Sequence, residues 1–310
     1  MNRQPVRIGT RASKLALAQA ETMRAAIARA IGPDDSAVLV HITTSGDRIQ
    51  DRRLTDIGGK GLFTKEIEEA LLGGRIDAAI HSLKDMPAVS PEGLTIAAIP
   101  RREDPRDAFL SERHASFADL PLGARLGTAS LRRQAQALHL RPDLDVIPLR
   151  GNVDTRLAKL ERGEADAILL AAAGLNRLGL GHLPRGWLDP EASPPAPGQG
   201  ALAIQTRTDA VDADWLAPLR HAPTALAVAA ERGALEALEG SCKTAVGAFA
   251  RVVDGRLRLT VEALTPDGAR RFRREGEVAA TDSEAAARAL GAALGAAIRL
   301  EGGEALLSAP

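Results

Sequence analysis

The feature that most constrains the fold is that the chain repeats itself. Arg7-Ile8-Gly9-Thr10-Arg11-Ala12-Ser13-Lys14-Leu15 returns as Arg125-Leu126-Gly127-Thr128-Ala129-Ser130-Leu131-Arg132-Arg133. Both read as a short strand running into Gly-Thr, then small and basic residues, then an Ala- and Gln-rich helix. A second echo follows each. Gly74-Arg75-Ile76-Asp77-Ala78-Ala79-Ile80 resembles Gly163-Glu164-Ala165-Asp166-Ala167-Ile168-Leu169, and in both places a helix (64–72, then 153–162) ends at Gly before an Asp-Ala-led apolar strand. One more strand lies between the echoes of each half, over 38–42 and over 146–149. The halves read as two copies of one β/α design, and such alternation predicts parallel sheets with right-handed crossovers.

Two segments read as connections between the copies. Pro100-Arg101-Arg102-Glu103-Asp104-Pro105-Arg106 is charged and bracketed by Pro, and Ser193-Pro194-Pro195-Ala196-Pro197-Gly198-Gln199-Gly200 cannot sustain a helix or a central strand. Two crossings between two lobes make a hinge with a cleft. After about Ala222 the texture changes. A helix over 225–238 precedes a hairpin over 251–264 turning at Asp254-Gly255, then a strand over 270–278 and a helix capped by Ser283. The expected fold class is therefore α/β: a first lobe from 1–100 and 200–218, a second from 105–194, and a small α+β domain over 222–310.

Composition narrows the function. Among 310 residues, 40 Lys and Arg balance 40 Asp and Glu, and there is no Tyr. Zero net charge and 2% aromatic residues argue against a general nucleic-acid binder with base-stacking platforms. A single Cys excludes an intramolecular disulfide and zinc sites built on paired Cys, and no metal is expected. No apolar run approaches the ~18 residues that span a bilayer. The N-terminus, interrupted by Arg3, Arg7, Arg11 and Lys14, lacks the apolar core of a signal peptide. These features predict a soluble cytoplasmic protein, with nothing to demand more than a monomer.

Ligands of open α/β sheets bind beyond the carboxyl ends of the strands. The residues that follow the strands here include Arg11, Ser13 and Lys14; Arg48, Arg52, Arg53 and Lys60; Lys84 and Asp85; Ser130, Arg132 and Arg133; Arg150 and Arg156; Asn176 and Arg177. Any one of these cations alone reads as a solvated surface charge, but the set predicts a cleft for a multiply anionic ligand. Arg dominates, and its planar fork grips carboxylates bidentately. The Walker spacing is absent from Gly58-Gly59-Lys60-Gly61, which favours carboxylates over a nucleotide. Asp85 stands among these cations either as a structural ion-pair partner or as a carboxylate held ionised to stabilise positive charge developing on a substrate. Cys242, in Glu239-Gly240-Ser241-Cys242-Lys243-Thr244, reads as an inert thiol, a nucleophile or an attachment point.

In order along the chain, Thr10-Arg11-Ala12-Ser13-Lys14-Leu15-Ala16-Leu17-Ala18-Gln19, Gly58-Gly59-Lys60-Gly61-Leu62-Phe63, His81-Ser82-Leu83-Lys84-Asp85, Gly127-Thr128-Ala129-Ser130-Leu131-Arg132-Arg133, Leu149-Arg150-Gly151-Asn152-Val153-Asp154-Thr155-Arg156 and Pro197-Gly198-Gln199-Gly200-Ala201 resemble the porphobilinogen deaminase (hydroxymethylbilane synthase) family. The resemblance covers nearly the whole chain up to Cys242. It implies two periplasmic-binding-protein-like lobes joined by a hinge, with a C-terminal domain. It implies a transferase that joins four porphobilinogen molecules head to tail, releasing ammonia at each step, into the linear tetrapyrrole hydroxymethylbilane of porphyrin and heme biosynthesis. It further implies one covalent dipyrromethane cofactor per chain, held by a thioether at Cys242, with porphobilinogen as small-molecule partner and neither nucleic acid nor membrane.

By position in the motifs, Asp85 would be the catalytic carboxylate. Arg11, Ser13, Lys84, Thr128, Ser130, Arg132, Arg133, Arg150 and Arg156 would hold cofactor and substrate carboxylates, and Gln199 would line the same cleft. Lys60 and Arg177 are further candidates, and 47–60 would be a mobile lid. The sequence departs from the family after the thiol, with Lys243-Thr244-Ala245-Val246 where Gln-Val-Pro is common, and with Ser241 where Gly is frequent. Two other readings need no such chemistry or a different one: a non-catalytic bilobal binding protein for a polycarboxylate, and a thiol hydrolase using Cys242 with a His.

Overall fold

A computed structural model describes residues 4–32, 36–45, 64–238 and 244–306. In the first half of the chain run β1 (Val6–Thr10), α1 (Lys14–Ile31), β2 (Ala37–His41), α2 (Lys65–Leu72), β3 (Ala78–Ser82), a 3-10 turn (Leu83–Asp85) and β4 (Leu94–Ala98). Then come β5 (Asp107–Leu110), β6 (Arg125–Gly127), α3 (Leu131–Leu140), β7 (Asp145–Ile147), α4 (Val153–Glu161), β8 (Ala167–Ala171), α5 (Ala172–Arg177), β9 (Gly186–Trp187) and β10 (Leu202–Arg207). The rest is α6 (Ala222–Ala237), β11 (Ala245–Val253), β12 (Arg256–Leu264), β13 (Arg271–Ala279) and α7 (Glu284–Gly302).

The chain divides into two compact units, Met1–Glu103 with Ala201–Ala225, and Asp104–Gly200 with Leu226–Pro310. The first holds a five-stranded sheet ordered β2-β1-β3-β10-β4, and the second a five-stranded sheet ordered β7-β6-β8-β5-β9. The two orders superpose strand for strand, so the sequence echo is a topological repeat. In each, the first three strands are parallel, as the β/α alternation predicts. The fourth is antiparallel to both neighbours, which corrects the expectation of parallel sheets. That strand is the one the chain forms directly after each crossing: β5 follows Pro100 to Arg106, and β10 follows Ser193 to Gly200. Its partners are remote in sequence, so no local pattern announces its direction.

Each sheet is covered on its faces by apolar side chains. In the first unit Ile8, Ile27, Ala78, Ile204 and Leu216 are fully buried in one cluster, and Ile67, Leu71 and Ile76 in another. In the second, Leu126 and Phe109 lie in one cluster and Ile168 and Leu175 in a second. Burial of each such side chain contributes roughly 1.5–3 kcal/mol.

The second unit also contains the antiparallel sheet β11-β12-β13. Asp254 (φ 49°) and Gly255 (φ 72°) make the two-residue turn of its first hairpin, at the expected Asp-Gly. The inner face of β12, with Leu257, Leu259, Val261 and Ala263, packs with α6 and α7 in one core. Ser283 caps α7, its Oγ accepting the Ala286 N–H at 3.2 Å, as the sequence predicts.

Candidate functional site

In the first unit, β1 and β3 are adjacent and parallel, so the segments after them emerge at one edge. Ser13 ends the first of these and caps α1, its Oγ accepting the Ala16 N–H at 3.3 Å. Arg11, half-buried, lies close enough to the buried His81 for its charge to disfavour protonation there. After β3, the 3-10 turn holds Leu83 inside as a plug and presents Lys84 half-buried and Asp85 exposed. A Met86 N–H bond to Leu83 O at 3.1 Å closes the turn.

The turn is supported from beneath by polar groups. The His81 ring Nε2 lies 3.1 Å from Gln205 Oε1, and Gln205 Nε2 donates to Glu68 Oε1 at 3.3 Å. Gln19 Nε2 donates to Ser82 Oγ at 2.9 Å. Burial pushes the His81 pKa down to about 4, so the ring is neutral at pH 7.

The second unit builds the same corner. Ser130 caps α3 from the position that Ser13 occupies on α1, its Oγ accepting the Arg133 N–H at 3.4 Å. Thr128 is buried, and its Oγ1 accepts the Ser130 N–H at 3.2 Å, which closes the turn from β6 into the helix. Beside it, the loop after β7 carries Arg150, and Asn152 Oδ1 caps α4 by accepting the Thr155 N–H at 2.8 Å. Arg156, half-buried, lies in the first turn of α4. Lys159 Nζ ties this loop down through Arg150 O at 3.2 Å.

The first turns of α1 and α3 hold no acidic residue; instead Lys14 stands there in one and Arg132 and Arg133 in the other. Positive charge at a helix N-terminus opposes the macrodipole by roughly 0.3–1 kcal/mol per group. An anion at the N-terminus reverses that sign. Lys14 in one unit and Arg132 and Arg133 in the other therefore stand where the helix dipole alone disfavours cations.

Not every expected side chain lies at such an opening. Arg132 and Arg133, read from sequence as direct ligands, point inward. Arg132 Nη1 donates to Asp107 Oδ2 at 2.8 Å, while Arg133 Nε and Nη2 donate to Asp107 Oδ1 at 3.1 and 2.7 Å. Burial alone would raise the Asp107 pKa, but the two guanidinium charges outweigh it and hold the carboxyl well below the usual range. Asp107 is thus the shared counterion of both guanidinium groups, and the charge of Glu262 also acts on Arg132. Arg132 Nε is buried and accepted by no hydrogen-bonding group among the described residues.

Gln199, read as a lining residue, is fully buried. Its Nε2 donates to Pro105 O at 2.7 Å and to Asp107 Oδ1 at 2.9 Å, joining one crossing to the other. Arg177 Nη2 donates to Gly200 O at 2.7 Å. Lys60, Cys242 and the 47–60 segment lie outside the described residues.

Sequence reasoning missed Asp107, which stands at the end of a charge-rich, Pro-bracketed run and reads as linker. The signal available was Ala108-Phe109-Leu110 immediately after it, an apolar run too short to stand out alone. It also missed Gln205 and Glu68, whose polar side chains carry no motif. Among the described residues no cluster of His, Cys, Asp and Glu is arranged to hold a metal ion, and no helix is long and apolar enough to cross a membrane.

The family model described as "Porphobilinogen deaminase, dipyromethane cofactor binding domain" matches residues 6–214, and that described as "Porphobilinogen deaminase, C-terminal domain" matches residues 225–299. Curated relatives named porphobilinogen deaminase from Caulobacter sp. (strain K31) and Caulobacter vibrioides (strain NA1000 / CB15N) are 68% and 66% identical, each over 99% of this chain and 99% of the relative. Among solved structures, the methionine-binding protein MetQ is similar with a TM-score of 0.45 and 15% identity, over 70% of this chain and 88% of that one.

Proposed function

Because the chain belongs to the porphobilinogen deaminase family, we propose that its repeated strand-end corners are the machinery that holds and condenses porphobilinogen. The protein is a transferase that joins porphobilinogen units into the linear tetrapyrrole hydroxymethylbilane with release of ammonia, on a dipyrromethane cofactor. When bound, that cofactor supplies the nucleophilic pyrrole position from which the chain grows.

The donor set fits such a group. A dipyrromethane built from porphobilinogen carries acetate and propionate side chains, and the described loops present guanidinium forks, an ammonium, hydroxyls and helix N-termini. Arg11, Lys84, Arg150 and Arg156 grip carboxylates, with Ser13 and Ser130 adding hydroxyls beside the helix N-termini. Arg132, Arg133 and Thr128 supply the structured wall behind them. Lys60 and Arg177 complete the cation set, Gln199 fixes the crossings, and Cys242 is the attachment point.

Asp85 performs the charge work. Loss of ammonia leaves positive charge on a pyrrole, and an exposed carboxylate at the tip of a turn can approach the ring N–H. The Leu83 plug and the His81–Gln205–Glu68 line keep that turn from yielding. Stabilising the charge there lowers the barrier without a reorganisation cost at the moment of reaction. Asp85 also stands in reach of the protons that the condensation must move.

The same reading makes the protein a cytoplasmic monomer that acts on porphobilinogen without nucleic acid or membrane, which the balanced charge of the chain supports. The observation that carries the proposal is the Ser-capped strand-to-helix corner built twice, with half-buried Arg11 and Lys84 in one unit and Arg150 and Arg156 in the other. Its test is stoichiometry: porphobilinogen consumed and ammonia released are measured together under saturating substrate. Equal amounts are expected, whereas a binding protein would deplete free porphobilinogen with no ammonia.

A further inference from the structure

Glu262 has no part in the site above, yet it is a carboxylate buried to 1% exposure on β12. An apolar side chain would serve the core there at less cost in desolvation. Oε1 accepts from Gln136 Nε2 at 2.6 Å, and Arg271 Nε and Arg273 Nη1 lie 3.0 and 3.9 Å from Oε2. Gln136, also buried, stands on α3. The same Nε2 donates to Pro194 O at 2.8 Å, and its Oε1 accepts from Arg132 Nη1 at 2.8 Å. The orientation of this amide is forced, since the reverse would set its N–H groups against a guanidinium and its oxygen against a carboxylate. Arg132 continues the line to Asp107 on β5. A single chain of polar contacts therefore runs from the C-terminal sheet, through α3, into the second five-stranded sheet.

The segment entering β10 passes through the same point. Gly247 on β11 is paired opposite Glu262, and a Cβ at Gly247 would lie 2.5 Å from Pro194 O. Ala248 N–H donates to Pro195 O at 2.9 Å. At the other end of α3, His139 Nδ1 meets Gly268 O at 3.0 Å, and Ala135 packs with Ala245 and Leu264. The helix is thus seated along its length on the C-terminal sheet and its β12–β13 connection, where Gln134 Nε2 also donates to Pro266 O at 3.4 Å, and Gln136 is its buried polar contact to a strand of that sheet.

We propose that Gln136 and Glu262 are positioning residues for loading the cofactor. They hold the first turn of α3, with Ser130, Arg132 and Arg133, in register with the sheet whose strand β11 the chain enters three residues after Cys242. A group anchored at that thiol and gripped through its carboxylates at the α3 corner must satisfy both ends at once. The register between them sets whether it can. The inference rests on the reading of Cys242 as attachment point and of the α3 corner as carboxylate site.

The test uses the full chain produced in cells that make no porphobilinogen, so that the covalent group is absent at the start. Porphobilinogen is added, and intact mass is followed in time for the wild type, Glu262→Gln, Gln136→Glu and the double variant. Gln136→Glu sets two carboxylates against each other, and Glu262→Gln removes the charge that Arg271 and Arg273 face. The double variant restores an amide–carboxylate pair in the opposite sense, a carboxylate facing Arg132 and accepting from an amide at 262, at the loss of the donor to Pro194 O. Each single variant is expected to gain the covalent mass about ten-fold more slowly, the scale of a sub-ångström to ångström misplacement. The double variant should recover to within about three-fold of wild type. Circular dichroism should show the same folded fraction throughout.

Loading at the wild-type rate in both single variants would overturn the proposal. So would a double variant as slow as the product of the two single effects, or slowing that merely follows a loss of folded protein. A wild-type chain that gains no mass at all would instead remove the reading of Cys242 on which the proposal stands.

Discussion

Asp107→Asn is the substitution whose cost can be worked most fully from the structure. Asp107 accepts from Arg132 Nη1 (2.8 Å), Arg133 Nε (3.1 Å) and Nη2 (2.7 Å), and Gln199 Nε2 (2.9 Å). The Arg132 and Arg133 side chains retain only 5% and 7% of their exposure, so neither can turn to water without unpacking α3. Breaking a buried pair by removing one partner costs roughly 3–5 kcal/mol, because a charge is left uncompensated. Here one carboxylate serves two cations, which places the loss near the upper end, about 4–5 kcal/mol. At about 2–4 °C per kcal/mol for a structure of this size, thermal unfolding should begin roughly 8–20 °C lower.

The pH dependence gives an independent check. The folded pKa of Asp107 lies below its unfolded value, so its stabilisation is present above about pH 4 and is lost as pH falls further. Urea midpoints taken from pH 7 down to pH 3 should fall steeply at the acid end for wild type, and lack that component in Asp107→Asn. A variant melting within 2 °C of wild type at pH 7, with the same acid slope, would refute the view that this carboxylate is the counterion of both guanidinium groups.

Other substitutions test other parts of the account. Asp85 is exposed, so Asp85→Asn should leave the melting temperature within about 1 °C yet lower kcat by about 10²–10³-fold, the scale of one preorganised charge-stabilising group, as steady-state assay of porphobilinogen consumption would show. Arg150→Lys keeps the charge but loses the fork, and should raise KM by about 10-fold or more with kcat less affected, read from the same assay. The His81 ring is neutral in the folded protein, with its pKa pushed down to about 4, whereas the unfolded chain takes up the proton near pH 6.5. Wild type should therefore lose up to about 3 kcal/mol from this group between pH 6.5 and pH 4, and His81→Gln should lack that component in urea titrations, keeping that of His221, whose pKa burial also lowers.

The repeat in the sequence was enough to foresee two sheets of matching topology, because strand–Gly–helix vocabulary is local and was written twice. The direction of β5 and β10 was not legible. Each follows a Pro-rich crossing, and its orientation depends on partners remote in the chain, Leu169 for Phe109 and Ile80 for Ile204. The same limit applies to the site. Arg11, Lys84, Asp85, Arg150 and Arg156 follow strands, and that position together with the family motifs singles them out in the sequence as candidates.

Arg132 and Arg133 carry the same local signal as those residues. What distinguishes them is Asp107, which lies 25 positions earlier than the first of them, and no spacing rule joins the two segments. Gln136 and Glu262 were invisible for a related reason. A Gln in a helix and a Glu in a hairpin strand are both ordinary at a surface, and only the docking of α3 on the C-terminal sheet buries them together.

The most direct test of the central claim is the intact mass of the purified protein, before and after brief exposure to porphobilinogen, beside Cys242→Ala. The account predicts a covalent excess equal to two linked pyrroles in the wild type, then a ladder of added pyrrole units, and neither in the variant. A wild-type chain at its bare mass, with no ladder after ample time with porphobilinogen, would contradict growth of a tetrapyrrole on a primer held by this thiol.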